Sequence, residues 1–130
     1  MSQLNFGAIL VAAASSFLLG GLWYSRILFG VVWMREAGYV EGQGYHPARV
    51  FGLSFVMSVA SAIVFALLLG PAPVLKDATL RGLLVGAGVA GTSFAINYQF
   101  AKRSLLLLLI DAGYHTFQFG LYGMILGLWH

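Results

Sequence analysis

Four long apolar stretches, separated by short segments that carry most of the charge, dominate this chain of 130 residues. They cover residues 5–23, 50–69, 78–100 and 104–129. The length of each stretch is close to what an α-helix needs to cross a bilayer, which is about 20 residues. Only 8% of the chain is charged and 60% is hydrophobic, whereas soluble domains carry about 25% charged residues. We therefore predict one domain, residues 1–130, that is an all-α integral membrane protein with a four-transmembrane-helix bundle.

The loop after the first stretch contains an apolar segment, residues 26–36, that is too short to span a bilayer. Charges stand at both of its ends, which is typical of a short interfacial helix that lies in the headgroup region. Aromatic and basic side chains of this region form a predicted interfacial or lipid anchor: Trp23, Tyr24, Arg26, Trp33 and Arg35. Such a patch either fixes the depth of the helix or binds a lipid headgroup, and both interpretations remain open.

The start of the chain does not resemble a signal peptide, because no basic residue precedes a first apolar stretch that is longer than the usual hydrophobic region. Five of the seven basic residues fall in the loops after the first and third stretches: Arg26, Arg35, Arg49, Lys102 and Arg103. The positive-inside rule therefore places those two loops in the cytoplasm and both termini outside. With so few basic residues confined to loops, we expect no binding to nucleic acid.

The fourth stretch carries the most informative polar residues. Asp111 and His115 are four residues apart and share one face of a helix, with Tyr114 and Gln118 on or beside it. Asn97, from the third stretch, is expected nearby. Ionisable groups at membrane depth are costly and commonly functional. One interpretation of this intramembrane polar site is therefore a proton relay, or a lining for transport or for proton or ion passage.

The alternative interpretation of Asp111 is structural. Its buried carboxylate would bond to His115, or to Asn97, Tyr98 or Arg26, and would hold neighbouring helices together. Asp111 and His115 supply only two ligands, so we predict no metal site. The chain also offers few convergent polar groups and no cysteine. We therefore predict no catalytic residues and no cofactor, and an enzyme acting on lipid or quinone is the less favoured class.

Small residues recur at helical spacing in the last three stretches. The predicted helix-packing positions are Ser54, Ser58, Gly82, Gly86, Gly123 and Gly127. Small side chains allow helices to approach closely in lipid, within one chain or between copies. Four helices enclose little volume, so we expect a homo-oligomer surrounded by membrane lipids if the protein transports a solute. The alternative is a non-catalytic accessory or structural subunit of a larger membrane complex.

Several short motifs resemble a known family. They are Gly-Leu-Trp-Tyr-Ser at 21–25, Leu-Phe-Gly at 28–30, Asn-Tyr-Gln-Phe at 97–100 and Ile-Asp-Ala-Gly-Tyr-His at 110–115. With these motifs, the chain resembles the bacterial membrane proteins grouped as domain-of-unknown-function family 1761. The resemblance implies a four-span protein of the bacterial inner membrane, and it implies no activity. Members commonly have proline after Trp-Tyr-Ser, where this chain has Arg26.

Overall fold

The computed structural model describes residues 4–39 and 46–130, which form five helices and no strand. The helices are α1 (Phe6–Trp23), α2 (Gly30–Ala37), α3 (Pro47–Leu69), α4 (Leu75–Phe100) and α5 (Leu105–Leu128). The all-helical fold class is confirmed. The short α2 lies in the first loop, where the sequence indicates an interfacial helix.

Side-chain caps determine where three of the helices begin. Asn5, His46 and Ser104 each accept a hydrogen bond from a backbone amide of the first turn of α1, α3 and α5. Caps of this kind satisfy amides that have no partner within the helix. Helices α3 and α4 start at 47 and 75, earlier than the 50 and 78 expected from the apolar pattern. Their first turns contain the charged residues Arg49, Lys76 and Asp77, which a hydropathy pattern excludes from an apolar stretch.

Helix α5 is the centre of the bundle, because it contacts each of the other four described helices. The main core joins α1, α3 and α5, and it contains Ala8, Ile9, Ala12, Ala62, Phe65, Tyr122 and Leu126. Three of these residues are alanines of α1 and α3, so the backbones lie close together at this point. The large buried rings of Phe65 and Tyr122 fill the space that the alanines leave.

Helices α4 and α5 pack backbone against backbone along facing glycines. A Cβ on Gly82 would overlap the Phe119 carbonyl of α5, and a Cβ on Gly123 would overlap the Ala78 carbonyl of α4. Gly86 and Gly127 meet the opposite backbone in the same way. Four of the six small residues singled out in the sequence therefore lie in one interface within the chain. Of the other two, Ser58 is buried and Ser54 is exposed.

The middle of α4 is a π-helix, Gly86–Gly91, which the apolar pattern does not indicate. A π segment changes the backbone bonding pattern, so some carbonyls need other partners. Here the Thr92 hydroxyl donates to the Gly88 carbonyl at 2.8 Å, and the Ser93 hydroxyl donates to the Val89 carbonyl at 2.6 Å. Gly86 at the start of the segment lies against the His115 carbonyl of α5.

Three described helices are long and apolar enough to cross a membrane: α1, α3 and α4. Helix α5 has 24 residues but is not among them. Its polar residues, which include Asp111, His115 and Gln118, lower its mean hydropathy. Helices compatible with membrane insertion are therefore established, while a fourth span is not.

The loops lie at two opposite ends of the bundle. At one end, the Arg103 guanidinium donates to the Ala37 carbonyl at 3.1 Å, which joins the end of α2 to the α4–α5 loop. At the other end, Leu4, the turn from Gly70 to Pro73 and His130 line a small cavity of about 170 Å³. The two most basic loops therefore share one end, and the α3–α4 turn lies at the opposite end.

Candidate functional site

The Asp111 carboxylate is 8% exposed and accepts three hydrogen bonds. Tyr24 Oη and Trp33 Nε1 donate to Oδ1 at 2.7 and 3.1 Å. Tyr98 Oη donates to Oδ2 at 2.5 Å. All three donors within the described residues are uncharged aromatic side chains. They come from the end of α1, from α2 and from α4, so this one carboxylate joins three segments to α5.

The sequence motif around Asp111 meets the motif around Trp23. Trp23 Nε1 donates to the Ile110 carbonyl at 2.9 Å. Gly113 makes room for the indole, because a Cβ at that position would lie 2.9 Å from a ring carbon of Trp23. Two motifs that are far apart in the sequence therefore form one structural unit.

His115 belongs to a different cluster from Asp111, and no hydrogen bond joins the two side chains. His115 Nδ1 and Gln118 Oε1 are 2.5 Å apart. The imidazole stacks on Phe94 of α4, with ring centroids 5.0 Å apart and planes 15° from parallel. Tyr114 packs edge-on against the same imidazole. The ring of His115 is therefore held on two sides and at one nitrogen.

The hydrogen bonds continue from His115 into the core. Gln118 Nε2 donates to Tyr122 Oη at 2.8 Å, and Tyr122 Oη donates to the Ser58 carbonyl of α3 at 3.2 Å. Gln118 is 5% exposed and Tyr122 is fully buried. This chain of polar groups joins α5 to α3, and Tyr114 joins α5 to α1 through a 2.9 Å bond to the Ser16 carbonyl.

An open cleft with a volume of about 890 Å³ lies between α1, α3, α5 and the π segment of α4. Its polar groups come from Ser16, Tyr24, Ser54, Ser58, Ser61, Tyr114, His115 and Gln118. Its apolar lining includes Phe17, Leu53, Met57, Phe94 and Phe119. Asp111 does not line this cleft, and no Asp, Glu, Lys or Arg of the described residues does. The cleft is therefore apolar with an uncharged polar floor.

The cleft exists because α3 contacts the bundle mainly through its second half. The buried residues of α3 are Ser58, Ala62 and Phe65. Leu53 and Met57 are more than half exposed. The first half of α3 is therefore separated from α5, and His115 faces the space between them.

The structure divides the residues predicted for the polar site into two groups. Asp111 lies among its three aromatic donors, whereas Tyr114, His115 and Gln118 line the cleft. Asn97 is exposed and joins neither group. Tyr98, one of the partners that the sequence offered to Asp111, is found there. Helix spacing alone does not separate Asp111 from His115, because that depends on how far each neighbouring helix leans.

The predicted anchor residues also divide into two groups. Trp23, Tyr24 and Trp33 direct polar atoms to α5. Arg26 and Arg35 are exposed. Sequence reasoning missed the donor role of Tyr24 and Trp33, since an amphipathic ring near a helix end fits a headgroup anchor equally well. Their role as an interfacial or lipid anchor stays a prediction.

One acid at the end of α2 has a shifted pKa. A hydrogen bond from the Ser104 hydroxyl, with a further contribution from Arg35, holds the pKa of the Glu36 carboxyl below its usual value. Arg35 Nε lies 3.3 Å from Glu36 Oε2. Because Ser104 also caps α5, this interaction couples the end of α2 to the start of α5.

These features define a class of protein: an all-helical bundle, compatible with membrane insertion, with a polar-floored cleft beside its central helix. The chain belongs to the family described as protein of unknown function (DUF1761), whose model matches residues 7–127. The resemblance seen in the sequence motifs is thus confirmed. No curated protein and no solved structure matches the chain.

Proposed function

We propose that this chain is a four-span membrane protein of the transporter type, which binds a small uncharged molecule in the cleft beside His115 and lets it pass. The cleft of about 890 Å³ carries this proposal. Ligand sites are commonly clefts of this size, mostly apolar with a few placed polar groups. A polar floor formed by Tyr114, His115 and Gln118 fits that description.

Helix α5 is the proposed fourth span. Its 24 residues extend about 36 Å at 1.5 Å per residue, which is enough to cross a bilayer. Its most polar residues face protein, since Asp111 and Gln118 are both buried. Polar side chains within spanning helices are tolerated in that setting. The low hydropathy of α5 is therefore compatible with a central, protein-covered span.

The uncharged lining argues for a neutral solute. An ion that entered the cleft would lose hydration without gaining an opposite charge, which is costly in an apolar surrounding. Asp111, the one buried acid among the described residues, is occupied by three donors and lies outside the cleft. The geometry therefore favours His115 over Asp111 as the contact for a solute, and a neutral molecule over a proton or metal ion.

The open side of the cleft needs a cover in the membrane. We propose that a second copy of the chain supplies it in a homo-oligomer, or that membrane lipids supply it around a monomer. In either case both basic loops lie on the cytoplasmic side of the bacterial inner membrane. Mass determination of the protein extracted from native membranes checks this part. A monomer with only lipid attached supports lipid as the cover, and a stoichiometric dissimilar partner supports the accessory-subunit alternative.

Cysteine accessibility tests the cleft directly. The chain has no cysteine, so Ser54→Cys and Val56→Cys each introduce a single thiol. Ser54 lines the cleft, whereas Val56 does not and is 56% exposed on the same helix. The two positions differ in depth by about 3 Å. If the cleft admits water, a charged methanethiosulfonate reagent modifies Ser54→Cys many times faster than Val56→Cys, since the thiolate in water is the reactive form.

Two results would contradict the proposal. Equally slow reaction at both positions means that no water reaches the cleft, and equally fast reaction means that α3 is not in a membrane. Reagent applied in turn to right-side-out and inside-out vesicles adds a test of passage. Access to Ser54→Cys from both faces supports a path, and access from one face restricts the cleft to binding.

A further inference from the structure

The hydrogen bonds around Gln118 set the tautomer of His115. The Ser58 carbonyl can only accept, so Tyr122 donates its proton there and its oxygen is free to accept. Gln118 Nε2 then donates to Tyr122, which turns Gln118 Oε1 toward the imidazole. An amide oxygen is only an acceptor, so the hydrogen of neutral His115 is on Nδ1.

The other ring nitrogen, Nε2, is therefore a hydrogen-bond acceptor. Within the described residues, no hydrogen bond is made to His115 Nε2. The side chain is partly exposed and belongs to the cleft lining. No buried side-chain nitrogen or oxygen in the described part of the chain lacks a partner, so Nε2, which has none, is not a buried atom. His115 thus offers a lone pair at the polar floor of an otherwise apolar cleft.

We propose that the cleft takes an uncharged ligand with an apolar body and a hydroxyl group, and that the hydroxyl donates to His115 Nε2. This inference rests on the cleft as the ligand site of the proposed function. The rings of Phe17, Phe94 and Phe119 provide apolar contact for the body of the ligand. A ligand whose polar group only accepts, such as an ether, would place its oxygen against the nitrogen lone pair.

A matched pair of ligands isolates this hydrogen bond. The probes are 2-naphthol and 2-methoxynaphthalene, which differ in the hydroxyl, and binding to the full chain in nanodiscs is measured by equilibrium dialysis. Empty nanodiscs correct for partition into lipid. A net hydrogen bond of about 1.4 kcal/mol corresponds to a tenfold preference for the naphthol. We expect a saturable preference of roughly that size.

Variants connect the preference to the imidazole. His115→Phe keeps an aromatic ring against Phe94 but removes the acceptor, so we expect both probes to bind equally. Asn97→Ala, exposed and outside the cleft, keeps the preference of the original chain. Should His115→Phe fail to fold, ¹⁵N NMR of the histidines in the unaltered protein gives an independent answer. Because the chain has three histidines, few signals are present and those of His115 can be assigned. We expect its neutral ring to be protonated at Nδ1.

The inference is overturned by equal affinity of the original chain for the two probes, by a preference that survives in His115→Phe, or by a neutral His115 protonated at Nε2. Binding of neither probe above the level of empty nanodiscs would also overturn it. Each can occur while Ser54→Cys still reacts faster than Val56→Cys. In that case the ligand class is wrong and the open cleft of the proposed function stands.

Discussion

At the scale of single residues, Asp111 is a buried acid with three hydrogen-bond donors. A carboxylate taken out of water is costly unless hydrogen bonds replace its hydration. Tyr24, Trp33 and Tyr98 supply those bonds without introducing a second charge. Bonds to an ionised group are stronger than those between neutral groups. The residue therefore holds α2 and the ends of α1 and α4 against α5.

We expect Asp111→Asn to lower the free energy of unfolding by about 1–3 kcal/mol, because the donors lose a charged acceptor and an NH₂ group replaces one of its oxygens. Urea or SDS titration of the purified protein, followed by circular dichroism, measures the loss. Asn97→Ala is the matched control and should stay within about 0.5 kcal/mol of the original chain, since Asn97 is exposed. Equal stability of Asp111→Asn and the original chain would show that the three bonds contribute little.

At the scale of secondary-structure elements, the contact between α4 and α5 depends on the absence of side chains. Facing glycines allow carbonyl groups to approach the opposite backbone, and such small-residue interfaces are typical of helices that associate in lipid. The same approach positions the π segment beside His115. The glycine interface therefore shapes the cleft as well as the packing.

Gly82→Ala tests the interface. Its new Cβ would collide with the Phe119 carbonyl, which belongs to backbone and cannot move aside as a side chain would. We expect a loss of about 1–3 kcal/mol in the free energy of unfolding, as for other overpacked positions. The comparison is Gly52→Ala in α3, where nothing lies within 4 Å of a Cβ. That variant should be neutral or up to about 1 kcal/mol more stable, because alanine favours helix.

The end of α2 carries a second prediction at this scale. Because the pKa of Glu36 is lowered from its usual 4.5, the ionised form stabilises the folded state. That stabilisation is present above pH 4.5 and is lost as the pH falls through the lowered pKa. We therefore expect Glu36→Gln to have a lower unfolding midpoint than the original chain at pH 7. The difference should disappear in acid, and a difference that persists at every pH would exclude this cause.

At the scale of the whole molecule, the bundle has two distinct ends. Arg103 joins the two most basic loops at one end, while the α3–α4 turn lies near Leu4 and His130 at the other. This arrangement supports an up-and-down path for α1, α3, α4 and α5. It also agrees with the charge asymmetry that orients membrane proteins.

Topology can be measured with three single-cysteine variants: Lys76→Cys, Lys102→Cys and His130→Cys, at exposed positions. An impermeant maleimide applied to sealed vesicles should label position 102 from the cytoplasmic face, and positions 76 and 130 from the opposite face. If 130 is labelled from the same face as 102, α5 does not cross and the chain has three spans. If 76 shares a face with 102, α4 does not cross.

The sequence alone determined the helical class, the approximate position of each long helix and the family. Those properties are local, because apolar length, capping residues and loop charge can be identified from the order of residues alone. The glycine positions could be predicted for the same reason, since spacing places them on one helix face. Their partners could not be predicted, because Gly82 and Phe119 meet only after the helices pack.

Only the tertiary structure decided that Asp111 and His115 belong to separate clusters. Both lie on one face of α5, but α2 and the end of α1 cover Asp111, while the lean of α3 leaves His115 beside an open cleft. The partners of Asp111 lie as many as 87 residues away along the chain. No local pattern specifies contacts over such a separation, since they depend on the relative placement of whole helices.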